Sequence, residues 1–181
     1  MIGIIVAVVV VVLLLGWFIG TTNHIRVLEV KINEATSGID VALEKRYAVL
    51  TKQMEVVRNV CSEEQKLAFE SIKLRQGMSF EEQNEAIEKV EKLSNGFSAL
   101  MESYPEMKSN ENFALLQKSV NDTEEHLQAA RRLFNSNVSA FNQCIVTFPN
   151  SIVASMTGRT QKVFFEAEES RKSDVDLSMN I

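Results

Sequence analysis

The stretch Phe113-Ala-Leu-Leu-Gln-Lys-Ser-Val-Asn-Asp-Thr-Glu-Glu-His-Leu-Gln-Ala-Ala-Arg-Arg-Leu-Phe-Asn-Ser-Asn-Val-Ser-Ala-Phe-Asn-Gln-Cys-Ile-Val-Thr-Phe148 decides the architecture of this chain. Within it Phe113, Leu116, Val120, Thr123, Leu127, Ala130, Phe134, Asn137, Phe141, Cys144 and Phe148 recur at alternating steps of three and four. That spacing draws one seam along an α-helix packed lengthwise on its neighbours. Thr123 and Asn137 are polar members of the seam, and such residues are read as fixing register before they are read as a site. The helix is expected to start near Asn110 and to end at Phe148-Pro149, with Asn150 or Ser151 capping one further short turn before Gly158.

Earlier segments carry the same period. Leu28, Ile32, Ala35, Ile39, Leu43, Tyr47, Leu50, Met54 and Val57 define a first amphipathic helix. Its Gly38 is a soft point costing about 1 kcal/mol against alanine rather than a break. Ser62-Glu-Glu-Gln65 reads as a capping box opening a short helix over 63–75, which Gly77 stops. Ser79-Phe-Glu-Glu82 is a second capping box, and Ala86, Val90, Leu93, Phe97, Leu100 and Tyr104 continue from it as a heptad seam. Pro105 ends that helix, because the residue before a proline avoids helical angles. With two prolines and seven glycines in 181 residues, long helices are expected.

No break separates the first helix from the N-terminus. Residues 2–19 are all apolar or glycine, and as a helix they span about 27 Å, close to a bilayer's hydrocarbon thickness. Ten of the eighteen are Val or Ile. A lone strand in lipid would leave its backbone groups unpaired, so the segment is a helix. No Lys or Arg precedes it, and it ends in bulky Trp17-Phe18-Ile19, which argues for an uncleaved anchor rather than a signal peptide. Arg26 and Lys31 on the C-terminal flank place the N-terminus outside and the body in the cytoplasm by the positive-inside rule.

The expected fold is all-α: an antiparallel up-down helical bundle of three long helices plus short helical segments, its first helix continuous with an N-terminal transmembrane helix. Residues 1–22 form the anchor, 23–158 the bundle and 159–181 an irregular C-terminal tail attached through Phe164-Phe165. The net charge of −5 argues against a nucleic-acid partner, which calls for a basic face.

The sequence carries no recognisable catalytic constellation. The Glu-x-x-His elements of a di-iron bundle are absent, since Thr123 stands three residues before His126, and His24 lies at the membrane end. Cys61 is flanked by Glu63 and Glu64, which disfavour a thiolate, and Cys144 falls on the apolar seam. Arg131 and Arg132 point about 100° apart on a helix and read as solvated or ion-paired. The carboxylates at 63–64, 81–82 and 166–169 read as helix starts or solvated faces. No phosphate loop, nucleophile elbow or zinc spacing occurs. The expectation is no catalytic, cofactor-binding or metal-ligating residue, no cofactor and no small-molecule substrate.

Several consecutive pieces resemble the bacterial LemA family. They are Gly38-Ile-Asp-Val-Ala-Leu-Glu-Lys-Arg46, Tyr104-Pro-Glu-Met-Lys-Ser-Asn-Glu-Asn-Phe113, Ala129-Ala-Arg-Arg-Leu-Phe-Asn135 with Phe141-Asn142, Phe148-Pro-Asn-Ser-Ile-Val-Ala154, and Phe164-Phe-Glu-Ala167 with Val175-Asp176. The family's Ile-Pro-Asn-like step after Lys45-Arg46 is replaced here by Leu50-Thr-Lys-Gln53, which implies a straighter first helix. The resemblance implies a membrane helix followed by an antiparallel helical bundle, with no established catalytic activity. The functional expectation is a non-catalytic, single-pass scaffold that binds protein partners at the bacterial envelope, with self-association as one mode. A lipid-directed remodelling or stress-response role is the alternative.

Overall fold

A computed structural model describes residues 1–57, 77–103 and 111–165. The described elements are all helices: α1 Ile2–Val57, α2 Phe80–Ser103, α3 Glu111–Val146 and α4 Asn150–Met156.

α1 is one unbroken helix of 56 residues, about 84 Å long. Its apolar start and its amphipathic body share one backbone, as expected from the lack of breakers. Three of its four threonines bond back one turn: Thr22 Oγ1 donates to Phe18 O at 2.8 Å, Thr36 to Ile32 O at 3.0 Å and Thr51 to Tyr47 O at 2.8 Å. The first eighteen-residue window has a mean hydropathy of 3.2 and none of it is buried. This helix is therefore long and apolar enough to cross a membrane.

The seam of α1 is buried from Ile25 through Leu28, Ile32, Ala35, Ile39 and Leu43. These residues share one core with Leu127, Phe134, Val138, Phe141 and Ile145 of α3, Val153 and Ala154 of α4, and Phe165. α1 and α3 run antiparallel. Asn137 Nδ2 donates to Lys31 O at 3.0 Å, the Arg46 guanidinium pairs with Glu124, and Gln53 Nε2 donates to Gln117 Oε1 at 3.2 Å. Asn137 thus ties the two helices in register, whereas Thr123 Oγ1 bonds back to Val120 O at 2.8 Å within its own helix.

α2 opens with the expected capping box, in which Ser79 N donates to Glu82 Oε2 at 2.8 Å and Glu82 N to Ser79 Oγ at 3.3 Å. Gly77 turns the chain into it at φ +73° and donates its N–H to Asp40 Oδ2 of α1 at 3.2 Å. Ala86, Val90 and Leu93 are buried as the heptad requires, joined by Gln83 and Ile87. α2 packs on α1 and reaches α3 through Phe80 and Phe134, whose ring centroids lie 6.1 Å apart.

Two expectations for the end of α3 are corrected. The helix stops at Val146, so Phe148 leaves the seam's phase and is 76% exposed. The cap of α4 is Pro149, with no side-chain hydrogen bond from Asn150 or Ser151. α4 closes in a Schellman motif at Gly158, φ +68°, with Arg159 N bonded to Ala154 O at 2.9 Å and Gly158 N to Ser155 O at 3.2 Å. The helix expected over 63–75 and the break at Tyr104-Pro105 lie outside the described residues, as do the connections on which an up-down order rests.

Candidate functional site

The core changes character along its length. On α1 the residues Ile25, Ile32, Ile39, Arg46 and Gln53 are seven apart and all buried, so one seam position passes from isoleucine to arginine and glutamine. On α3 the matching series Glu124, Arg131, Val138 and Ile145 passes from charged to apolar in the opposite direction along the chain. Because the helices are antiparallel, the two polar ends meet. The half of the bundle nearer the apolar start of α1 has an aliphatic and aromatic core, and the distal half holds a polar layer.

That layer is satisfied mainly by pairing. The Arg46 side chain, 3% exposed, is ion-paired with Glu124. Gln83, fully buried, donates through Nε2 to Asp40 Oδ1 at 2.6 Å. Arg131 Nη1 lies 3.8 Å from Glu91 Oε1, with its guanidinium 6.0 Å from the Phe165 ring centre. A buried charge held this way carries a desolvation cost that its partner must offset.

A second arrangement lies on α3. Residues 159–165 leave α4 as an extended strap. Asn142 Nδ2 donates to Lys162 O, and Lys162 N donates to Asn142 Oδ1, both at 2.9 Å. Asn135 treats Phe165 the same way, at 2.9 and 2.8 Å. Phe165 closes on Phe80 and Phe134, with centroids 4.4 and 4.8 Å away. Of the expected attachment pair, Phe165 is buried and Phe164 is not.

The residues tested for chemistry are dispersed. His24 and His126 are exposed on different helices. Cys144 is half-buried and its Sγ accepts from Asn150 Nδ2 at 3.6 Å, while Cys61 lies outside the described residues. Arg131 turns inward and Arg132 outward. Among the described residues no group of three or more His, Cys, Asp or Glu side chains is placed to hold a metal ion. Sequence reasoning missed the buried Arg46 and Gln53, although their seven-residue spacing from Ile39 marked the position. It also missed the clamp role of Asn135 and Asn142, again seven apart.

The arrangement defines a class: an elongated all-helical protein whose longest helix begins as an exposed apolar segment and continues into the core. The LemA family model matches residues 35–178. The chain is also 24% identical over 166 residues to Protein LemA of Metamycoplasma hominis, covering 89% of this chain and 76% of that protein. This chain belongs to the LemA family.

Proposed function

We propose that the chain is a non-catalytic, single-pass membrane-anchored bundle that binds or scaffolds protein partners at the bacterial envelope. One observation carries the reading. α1 passes without a break from an exposed apolar segment into the buried seam, so a bilayer around residues 2–19 would hold the bundle rigidly at its surface. Val27, Val30 and Val41 are exposed on the face of α1 away from its seam, with Glu34 and Ser37 between them, and offer apolar side chains to a partner or a second copy. Arg26 and Lys31 favour a cytoplasmic bundle. The proposed arrangement is three long helices in up-down order, over residues 23–158.

A remodelling role through anionic lipid finds less support. The basic residues near the apolar segment alternate with Glu29 and Glu34, and Glu29 is engaged by Arg159 at 3.3 Å. Photocrosslinking residues placed at Val30 and Val41 in membranes test the scaffold reading, with Ile39 as a buried control. Reproducible adducts, self included, from Val30 or Val41 are expected. Their absence overturns the reading.

A further inference from the structure

The C-terminal part of α3, with the turn and the short helix after it, carries no charge. Residues 133–158 contain no Asp, Glu, Lys, Arg or His, in a chain that is 24% charged. The antiparallel register says where this neutral stretch lies. From Lys31 opposite Asn137, each step back along α1 is a step forward along α3, which sets Val146 level with residues 22–24. The turn at 147–149 and α4 then fall beside Trp17, Phe18 and Thr21. Trp17 and Phe18 indeed pack against the core that contains Val153 and Ala154.

α4 buries Val153 and Ala154 and turns its other face outward. On that face, the turn before it and the last residue of α3, Val146, Phe148, Ile152 and Met156 are exposed, the last at 72%. Single exposed aliphatics such as Leu115 are ordinary on a protein surface. Four together, without a charge and level with an aromatic pair that ends an apolar span, suit the boundary between headgroups and acyl chains. Thr147, Asn150, Ser151 and Ser155 among them supply hydroxyl and amide groups that hydrogen-bond at that depth without the desolvation penalty of a charge. The charges around it lie outside this stretch: Arg26 and Glu29 on α1, the latter paired with Arg159, and Lys162 with its ammonium 5.6 Å from the Phe141 ring centre.

We infer that the tip formed by residues 146–156 is a second membrane-contacting element, resting Val146, Phe148, Ile152 and Met156 in the interface of the bilayer beside the point where α1 enters it. This rests on the reading of α1 as a membrane span. The bundle then stands on the membrane at two places, and because the tip is neutral its seating does not depend on anionic lipid or on ionic strength.

Full-length protein with Cys61→Ser, Cys144→Ser and Phe148→Cys, labelled with an environment-sensitive fluorophore, is reconstituted into phosphatidylcholine vesicles containing shallow spin-labelled lipid. The label is expected to lose roughly half or more of its emission to the quencher. A label at Leu115→Cys, at the distal end of α3, is expected to lose none. Adding phosphatidylglycerol or salt leaves the result unchanged. Trp17, the one tryptophan in the chain, reports the span independently. Quenching of Trp17 without quenching at position 148 overturns the tip contact and leaves the anchor standing. No quenching of Trp17 overturns both. A label at 148 that is shielded from water yet unquenched by lipid also overturns the proposal, and shows the tip covered by protein, a second copy included.

Discussion

Asn142 and Lys162 are joined by two antiparallel hydrogen bonds, each of 2.9 Å, between the side-chain amide of one and the backbone of the other. Asn135 repeats the arrangement on Phe165. The two spacings agree: seven residues of helix rise about 10.5 Å and three of extended chain cover about 10 Å. α3 therefore holds an extended segment as a neighbouring strand would, using side chains in place of a backbone edge.

Replacing Asn142 by alanine removes both bonds to Lys162, an expected loss of about 1–2 kcal/mol for the local closure of the strap. Amide exchange at Lys162 should accelerate while exchange in α1 stays unchanged. Asn142→Asp is expected to be intermediate, because a carboxylate accepts from Lys162 N but cannot donate to its carbonyl. Equal protection in all three proteins refutes the clamp.

Phe165→Ala removes the ring that Phe80 and Phe134 enclose. A buried phenylalanine truncated in a fixed core costs about 3–5 kcal/mol. Here the strap detaches before the bundle melts, so the denaturation midpoint should fall by less than that range implies. Limited proteolysis between 159 and 165 is expected to accelerate more than global unfolding does.

Glu124→Ala removes the carboxylate paired with the Arg46 guanidinium, which is 3% exposed. A loss of about 3 kcal/mol is expected. The double variant Arg46→Met with Glu124→Leu should recover most of it, since two apolar side chains replace a desolvated pair. Additive losses in urea melts of Arg46→Met, Glu124→Leu and the double would show that the pair is not coupled.

Glu88 lies on the exposed face of α2, and the hydrogen bond from Lys92 Nζ at 2.6 Å holds its carboxyl below the ordinary value of 4.5. A depressed carboxylate stabilises the fold above its unfolded pKa, and the contribution disappears as pH falls through the folded one. Wild type and Glu88→Gln should therefore differ slightly in melting temperature near neutrality and converge below pH 4.5. A gap that widens in acid would contradict this sign.

The helical class was legible because period and breakers agree: α1 has no proline, Ser79 and Glu82 announce a cap, and the α3 seam keeps its step as far as Cys144. What escaped is explained by residue type overriding position. Arg46 and Gln53 occupy the phase of Ile25, Ile32 and Ile39, yet a scan for apolar residues passes over them. Phe148 failed in the opposite sense, being apolar and in phase but two residues beyond the end of the helix at Val146. The strap was invisible to periodicity, since residues 159–165 have none. Its partners, Asn135 and Asn142, look like ordinary helix-surface amides until the segment lying on them is known.

The unbroken backbone of α1 has a mechanical meaning. From Thr21 to Val57 the helix rises about 54 Å. If residues 2–19 cross a bilayer as proposed, a tilt of about 10° to match a thinner one carries Val57 sideways by roughly 9 Å, with no hinge at the base to absorb it. The end of the bundle farthest from the apolar segment would then act as the pointer of a gauge, converting a small change in bilayer thickness into a displacement close to the spacing of packed helices.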